Sequence, residues 1–301
     1  MGSASGLADR PSGAKSIPTF RVIQVSDMHL SATHPFFTHN WNVVLEQVNA
    51  AKPELVIATG DLTLNGPKDF KYVQQQLKRI EAPLLTLPGN RDVGNNLPNR
   101  RDNYSVSEAL RKRYRRYFGD DYWSVDKGTW RLIGLNALLF GSGFDSERQQ
   151  LRWLESALRE AEGRRIALFL HKPLFVQTPK EKRVTQASVM PQPRARLLKI
   201  MAPYDVRLLA SGHLHEYRVR RHGRTRFVWA PATAYIVNDP KRGGFGGRRR
   251  VGYMEYRFQG REARCVLQEP PDLINHDLSG WFRDGIDVYQ RNIRGPYRGL
   301  P

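Results

Sequence analysis

The stretch LVIATGD, residues 55–61, indicates the fold class of this chain. Its first four residues are aliphatic, which is typical of a strand buried on both faces, and Gly60 and Asp61 follow directly where that strand ends. Amphipathic helical patterns lie on both sides of it, at residues 42–51 and 70–80. A buried strand between two helices predicts an α/β fold.

The same alternation continues as far as residue 211, after which strand patterns follow without helices. The strands in this last part predict antiparallel pairing. Ser105 and Glu108 match a capping box at the start of a basic helix. The further predicted segments are strands at residues 21–25, 84–87, 131–136, 166–170, 207–211, 227–229, 252–258 and 263–268, and helices at residues 106–118 and 148–161.

Five predicted strands are followed by side chains that can bind a metal ion. In open α/β sheets the carboxyl ends of neighbouring strands meet, so side chains there converge. Two carboxylates, one amide and four imidazoles, with no sulfur, suit Zn, Mn, Fe, Co or Ni ions better than Mg or Ca. This set exceeds the need of one catalytic ion and predicts two divalent or trivalent transition-metal ions that share a carboxylate. The candidate metal ligands are Asp27, His29, Asp61, Asn90, His171, His213 and His215.

The order of these motifs, over residues 22–215, resembles that of the calcineurin-like metallophosphoesterase superfamily. The motif GDLT, residues 60–63, and the helix that contains Trp153 are most similar to the class III cyclic-nucleotide phosphodiesterase branch. The resemblance implies a four-layer α/β/β/α sandwich of two mixed β-sheets, with the metal ions above the strand ends. It also implies a metal-dependent phosphoric ester hydrolase that acts on a small phosphorylated substrate.

The resemblance further implies a role for each candidate ligand. Asp61 bridges the two ions, and a hydroxide shared by them attacks phosphorus in a phosphodiester or pyrophosphate bond. Asn90, Arg91 and Asp92 are the candidate catalytic residues, and Asp92 is expected to act indirectly, by fixing a ligand or its loop. The implied ligands are Asp27, His29 and His215 for the first ion, and Asn90, His171 and His213 for the second.

Arg91 departs from the family pattern, in which a histidine at this position is credited with protonating the leaving group or stabilising the phosphoryl oxygens. A guanidinium has a pKa above about 12 and cannot donate a proton near neutral pH, although it can hold a phosphate with two hydrogen bonds. One interpretation is a leaving group that is already a good anion, because the Gly-Asn-Arg-Asp form also resembles that of the UDP-2,3-diacylglucosamine pyrophosphatases. The other is that a different residue, such as His34, supplies the proton.

The chain carries 48 Lys and Arg residues against 29 Asp and Glu residues, a formal net charge of +19, of which +15 lies in residues 151–301. The segment KRGGFGGRRR, residues 241–250, predicts a mobile loop in this basic half. Such a charge attracts polyanions. The alternative function is therefore a basic protein that binds nucleic acid or an acidic membrane surface, or an esterase that acts on a lipid or polynucleotide substrate.

The pattern predicts one catalytic domain at residues 18–269, a disordered leader at residues 1–17 and a C-terminal tail at residues 270–301. A single cysteine, Cys265, excludes a disulfide framework. The apolar runs are shorter than the roughly 20 residues that a bilayer span needs, and the leader lacks the apolar core of a signal peptide. These features predict a cytoplasmic protein that the basic half can bring to the periphery of a membrane. The sequence leaves the oligomeric state open.

Overall fold

A computed structural model describes residues 19–97, 105–238 and 244–279. Strands and helices alternate through most of this length, and strands dominate the last part. The strands are β1 (Thr19–Val25), β2 (Leu55–Thr59), β3 (Leu84–Leu87), β4 (Trp123–Lys127), β5 (Trp130–Leu135), β6 (Arg165–Leu170), β7 (Val206–Ser211), β8 (Arg218–His222), β9 (Thr225–Trp229), β10 (Tyr235–Ile236), β11 (Tyr253–Gln259), β12 (Glu262–Gln268) and β13 (His276–Asp277). The helices are α1 (Thr38–Ala51), α2 (Phe70–Leu77), α3 (Asn90–Val93), α4 (Glu108–Phe118), α5 (Asp145–Arg159) and α6 (Pro191–Met201).

Two mixed β-sheets form the centre of the fold. The first has the strand order β12-β11-β1-β2-β3, and the second has the order β4-β5-β6-β7-β9-β8. Strands β1, β2 and β3 are parallel, and β11 and β12 continue that sheet in antiparallel pairs. Strands β5, β6, β7 and β9 are parallel, and β4 and β8 form antiparallel edges. The predicted pair of mixed sheets is confirmed.

The central strands are buried on both faces, because their side chains alternate between two apolar cores. In β2, Leu55 and Ile57 lie in the core between the sheets, together with Phe169 of β6. Val56 and Ala58 of the same strand belong to the cluster that contains the buried faces of α1, α2 and α5. The helices therefore cover the outer faces of the sheets, which gives the layered sandwich implied by the resemblance.

The start of α4 differs from the sequence prediction. Ser107, not Ser105, is the N-cap residue, and its side chain accepts a 3.2 Å hydrogen bond from the backbone N–H of Leu110. Ser105 lies outside the helix, in a β-bridge with Asn95. The sequence patterns also do not predict β4, β8 or α6, although α6 begins with Pro191, a residue that favours the first turn of a helix.

The chain continues along the domain after β12. Strand β13 pairs with β10, and Leu278 is buried against Phe37 and Tyr235. The described part of the predicted tail, residues 270–279, thus packs on the domain, while the leader at residues 1–17 lies outside the described residues. The domain boundaries stay predictions. None of the described helices is both long enough and apolar enough to cross a membrane.

The described part of the basic loop, residues 244–250, is bound to Glu216. The backbone N–H groups of Phe245 and Gly247 donate to the Glu216 carboxylate at 3.1 and 2.7 Å. Nε of Arg249 lies 3.3 Å from the same carboxylate. These contacts anchor this part of the loop beside the turn that follows β7.

Candidate metal centre

The candidate ligands meet where parallel strands of both sheets end. Asp27 and His29 follow β1, Asp61 follows β2, and His213 and His215 follow β7. Asn90 begins α3 after β3, and His171 follows β6 directly. The six aspartates and histidines form two groups of closely spaced donor atoms, namely Asp27, His29 and His215, and Asp61, His171 and His213.

The first group lies under the ends of β1 and β7 and is buried. Oδ1 of Asp27 is 3.3 Å from Nε2 of His215, and that nitrogen is also 3.3 Å from Nε2 of His29. The other carboxylate oxygen of Asp27 accepts hydrogen bonds from Ser26 Oγ and from the backbone N–H of His213. Oδ1 of Asp27 is buried and has no hydrogen-bond partner among the described residues. A buried, unpaired carboxylate oxygen that faces two imidazole nitrogens fits a cation.

The second group includes the amide of Asn90. Nε2 of His171 is 3.1 Å from Oδ1 of Asn90, 3.1 Å from Nδ1 of His213 and 3.5 Å from Oδ1 of Asp61. Four donor atoms from four different strand ends thus face one point. All seven predicted ligands are therefore brought together by the fold.

Asp61 lies between the two groups. Its Oδ2 is 3.8 Å from Nε2 of His29, and its Oδ1 is 3.5 Å from Nε2 of His171. Oδ1 also accepts a 2.7 Å hydrogen bond from the backbone N–H of Arg91. One carboxylate oxygen therefore faces each group, as a carboxylate shared by two ions requires.

Three of the histidines are oriented by backbone carbonyls, each at 2.8 Å. Nδ1 of His171 contacts the carbonyl of Thr59, Nε2 of His213 that of Gln186, and Nδ1 of His215 that of Tyr235. Because a carbonyl only accepts, each contacting nitrogen carries the proton. The opposite nitrogen then presents its lone pair to the centre, which is the arrangement seen around metal-bound imidazoles.

Burial and neighbouring charges shift the pKa values of these groups. Burial, together with the charge of His215, lowers the pKa of His29 well below its usual value, and burial beside His171 does the same for His213. Burial and the charge of Asp27 raise the pKa of Asp61. A site that holds two buried carboxylates attracts cations strongly.

The backbone at the centre is strained. Among the described residues, seven non-glycine positions have positive φ, and five of these are Asp27, His29, Asp61, His213 and His215, with φ between 44° and 73°. Such a conformation costs about 1–2 kcal/mol for a residue with a Cβ atom. Strain gathered on adjacent ligand positions is typical of a functional site, because the surrounding fold must enforce it.

Two glycines permit the close approach of the strand ends. A Cβ atom on Gly89 would overlap the backbone nitrogen and Oδ1 of Asp61. A Cβ atom on Gly212 would overlap the side chains of Ser26 and Asp27. Any larger residue at either position would push apart the loops that carry the candidate ligands.

Asp92 connects two of these loops without facing the centre. Its carboxylate accepts from the backbone N–H groups of Gly89 (2.8 Å), Leu62 (3.2 Å) and Thr63 (3.1 Å), and from the Thr63 hydroxyl (2.8 Å). Burial and the charge of Asp61 raise the pKa of Asp92 to about 7. The residue ties the loop after β2 to the loop after β3.

Lys172 is a part of the site that the sequence patterns do not indicate. It is buried, and its Nζ donates to Oδ1 of Asn95 at 2.7 Å and to Oδ1 of Asn96 at 2.8 Å. Asn96 in turn donates to the carbonyl of Phe140 at 2.8 Å. Burial lowers the pKa of Lys172 to about 7. The lysine thus links the end of β6 to the chain that follows Asn90.

A cavity of about 510 Å³ opens beside Asn90. Arg91 and His34 both line this cavity. They are the two residues on which the sequence-based interpretations of leaving-group protonation depend. Nδ1 of His34 is 3.2 Å from the amide nitrogen of Asn65 and 2.9 Å from the hydroxyl of Thr33. Both contacts are made by Nδ1 and neither by Nε2.

A family model described as calcineurin-like phosphoesterase matches residues 20–217. The chain belongs to the calcineurin-like phosphoesterase family. Together with the two Asp/His groups, membership of this family identifies a metal-dependent phosphoesterase with a dinuclear centre.

Relatives in this family are named as phosphodiesterases. The chain is 29% identical, over 64% of its length and 71% of the relative, to "Probable glycerophosphodiester phosphodiesterase GpdQ" of Arcobacter nitrofigilis. It is 26% identical, over 71% of its length and 78% of the relative, to a 3′,5′-cyclic-nucleotide phosphodiesterase of a Nostoc species. Both names agree with the class III branch to which the motifs are similar.

Solved structures share the fold. A purple acid phosphatase from yellow lupin superposes with a TM-score of 0.58 and 15% identity over 88% of this chain and 56% of that chain. A dimetal phosphatase from Danio rerio superposes with a TM-score of 0.52 and 12% identity over 83% of this chain and 96% of that chain. These likenesses support the four-layer metallophosphatase fold of the present chain.

Proposed function

We propose that this enzyme hydrolyses small phosphodiesters, with two transition-metal ions held by the seven ligands at the strand ends. Asp27, His29 and His215 would bind the first ion, and Asn90, His171 and His213 the second. Nitrogen and oxygen donors without sulfur suit Zn, Mn, Fe, Co or Ni. The observation that carries the proposal is the position of Asp61, whose two carboxylate oxygens face one group each.

The bound ions would supply Lewis acidity that activates water and offsets charge on the phosphoryl oxygens. The residues of the chain set the geometry. The hydrogen bond from the Arg91 backbone fixes the Asp61 carboxylate, and Asp92 fixes the loops on either side of it. The Arg91 side chain lines the cavity, where a guanidinium can hold a phosphoryl or an anionic leaving group with two hydrogen bonds.

His34 is the group that we propose as proton donor to the leaving oxygen. It lines the cavity, and its contacts with Thr33 and Asn65 involve Nδ1, so the Nε2–H of the protonated imidazolium form is the group that would donate. An alkoxide leaving group needs such a donor. The presence of this imidazole favours a phosphodiester substrate over a pyrophosphate.

The lining of the cavity indicates a small polar substrate. Lys68, Arg91 and Asn65 supply charge and hydrogen bonds, and no Phe, Tyr or Trp ring that could stack on a nucleobase is among the described lining residues. A glycerophosphodiester fits this chemistry better than a cyclic nucleotide does. Pyrophosphate hydrolysis is the second candidate, because the cationic side chains of Lys68 and Arg91 also suit an anionic leaving group.

Rates with four substrates test the proposal. Metal-loaded enzyme should hydrolyse bis-p-nitrophenyl phosphate and a glycerophosphodiester, and should act more slowly on 3′,5′-cyclic AMP and on a nucleotide-sugar pyrophosphate. Metal content measured on the same sample should approach two ions per chain. Preference for the pyrophosphate would select the second candidate, and no turnover of any substrate by the metal-loaded enzyme would exclude both.

The charge of the C-terminal half supports a variant of this function, in which the enzyme is drawn to an anionic lipid or polynucleotide at the edge of the cytoplasm. Raising the salt concentration should then reduce kcat/KM steeply for the charged assembly but hardly for a small ester. Equal salt dependence for both kinds of substrate would exclude the variant.

A further inference from the structure

A cluster of positive charge lies at one end of the second sheet, and this end is opposite the metal centre. Six arginines from four strands and two turns line one cavity of about 60 Å³. Trp130, the first residue of β5, and Leu208 of β7 form its apolar part. The arginines are Arg165 of β6, Arg207 of β7, Arg221 of β8, Arg226 of β9, Arg224 in the β8–β9 turn and Arg261 in the β11–β12 turn.

The carboxylates around this cavity offset only part of its charge. Asp205 lies within ion-pair distance of Arg165 (3.5 Å), Arg207 and Arg261 (3.2 Å). Glu262, which also lines the cavity, lies 3.3 Å from Arg165. Six guanidinium groups are therefore accompanied by two carboxylates, which leaves an excess of positive charge.

The remaining three arginines have no carboxylate partner among the described residues. Arg224 donates to the carbonyls of Ala202 and Tyr204, each at 2.8 Å, and Arg226 donates to the carbonyl of Ala263 at 2.8 Å. These bonds hold the side chains in place but neutralise no charge.

Arg221 and Arg226 also occupy directly opposed positions on β8 and β9. Like charges directly opposite one another in a sheet destabilise it. An anion between them would remove that repulsion.

Protection of an exposed sheet edge does not explain the arrangement. Strand β8 is the edge strand of its sheet, and charged side chains on an edge prevent pairing with other chains. That role accounts for exposed residues such as Arg220. It does not account for the convergence of Arg165, Arg207 and Arg226 from inner strands on the same cavity.

We propose that this arginine cavity binds a phosphate group. A cavity needs roughly 10–15 Å³ to hold one water molecule, so 60 Å³ has room for the several oxygens of a tetrahedral anion. Guanidinium groups match the oxygens of phosphate in pairs.

The arginine cavity is separate from the metal centre. Strand β7 lies between them, and the distance from Arg207 to His213 along the chain is roughly 15–20 Å at about 3.3 Å per residue. The phosphate comes either from a free ion or phosphomonoester, or from the backbone of a polynucleotide.

Equilibrium dialysis of labelled inorganic phosphate against the metal-loaded enzyme tests the proposal. Two classes of site are expected, one at the metal centre and one in the arginine cavity. Arg221→Gln should weaken the second class about tenfold, because a hydrogen bond to a charged group is lost. Arg220→Gln is the matched control, since it removes the same charge from the neighbouring exposed position outside the cavity. Both variants should keep the parent rate on bis-p-nitrophenyl phosphate.

A short phosphorothioate oligothymidylate, followed by fluorescence anisotropy, distinguishes the two sources. Tighter binding of the oligonucleotide than of inorganic phosphate, weakened by Arg221→Gln, identifies a polynucleotide backbone. Phosphate binding without oligonucleotide binding identifies a free phosphate. A single class of phosphate site that Arg221→Gln leaves unchanged, or equal losses in Arg220→Gln and Arg221→Gln, would overturn the proposal.

Discussion

Oδ1 of Asp61 lies 3.5 Å from Nε2 of His171, and the backbone N–H of the residue after Asn90 donates to the same oxygen at 2.7 Å. The carboxylate is thereby held at the junction of three strand ends that are far apart in sequence. Its other oxygen faces His29 of the first group. Both halves of the centre therefore depend on one side chain.

Asp61→Asn should remove the shared charge while keeping the shape of the side chain. We expect the metal content to fall from two ions per chain toward one, and kcat/KM for bis-p-nitrophenyl phosphate to fall about a thousandfold, equivalent to roughly 4 kcal/mol. Asp120→Asn, on the exposed turn after α4, is the control and should match the parent enzyme. Unchanged metal content and turnover in Asp61→Asn would contradict the dinuclear centre.

Gly89→Ala should separate the loops after β2 and β3, because the added Cβ overlaps the backbone and carboxylate of Asp61. The expected loss in the free energy of unfolding is about 1–3 kcal/mol, together with weaker metal binding. Gly163→Ala offers a comparison at which no atom lies near the added Cβ, so only the positive φ opposes it, at about 1 kcal/mol. Metal titration should separate the two variants, and equal metal affinity in both would show that close packing at Gly89 is not required.

His34→Gln should slow hydrolysis by an amount that depends on the leaving group of the substrate. For a glycerophosphodiester, loss of the proton donor should lower kcat/KM about a hundredfold, whereas the activated p-nitrophenyl ester should change less than about threefold. His39→Gln removes a partly buried histidine of α1 whose Nε2 contacts the carbonyl of Asp272, and it should affect neither substrate. A uniform loss on both esters would assign His34 to substrate binding instead of proton transfer.

Arg91→His should raise KM about tenfold for a substrate with an anionic group, because a paired hydrogen-bond contact to that group is lost. If His34 donates the proton, the ratio of rates on poor and good leaving groups should stay constant. A rise in that ratio would mean that the new histidine provides a proton donor that the parent enzyme lacks. The pyrophosphate function would then be favoured.

Lys172→Met should leave the side-chain oxygens of Asn95 and Asn96 buried without their donor. Such a loss costs about 1–3 kcal/mol and should lower the melting temperature by about 5 °C. Because the lysine positions the chain after Asn90, metal affinity should fall as well. Lys199→Met, on the exposed face of α6, is the matched control for loss of a lysine. A lowered melting temperature with unchanged metal affinity would restrict Lys172 to a purely structural role.

The sequence predicted most of the fold because its strands are buried on both faces. Apolar runs such as residues 84–87 coincide with the observed strand, and each candidate ligand follows such a run directly or a few residues later. Parallel strands place Asp27 beside Asp61 at the end of the first sheet and His171 beside His213 at the end of the second. The meeting of these two pairs depends on how the sheets pack, which the family resemblance implied and the local patterns did not. Strand β8 was missed, because its arginines and exposed Val219 show neither an apolar run nor alternation with a buried face.

Local sequence patterns could not predict contacts between segments that are distant in the chain. Lys172 pairs with Asn95 and Asn96, and the carbonyl of Gln186 orients His213. Each of these contacts joins segments that share no sequence motif. The arginine cavity depends on β9 lying beside β7, a strand order that no single segment encodes. Composition therefore showed the excess of positive charge but not the place where it converges.

The metal centre and the arginine cavity lie at opposite ends of the same parallel strands. A polyanion bound in the arginine cavity would leave the metal centre facing away from it, toward freely diffusing molecules. Tethering and turnover would then proceed together without competition, and the scaffold that retains the enzyme would itself be spared from cleavage.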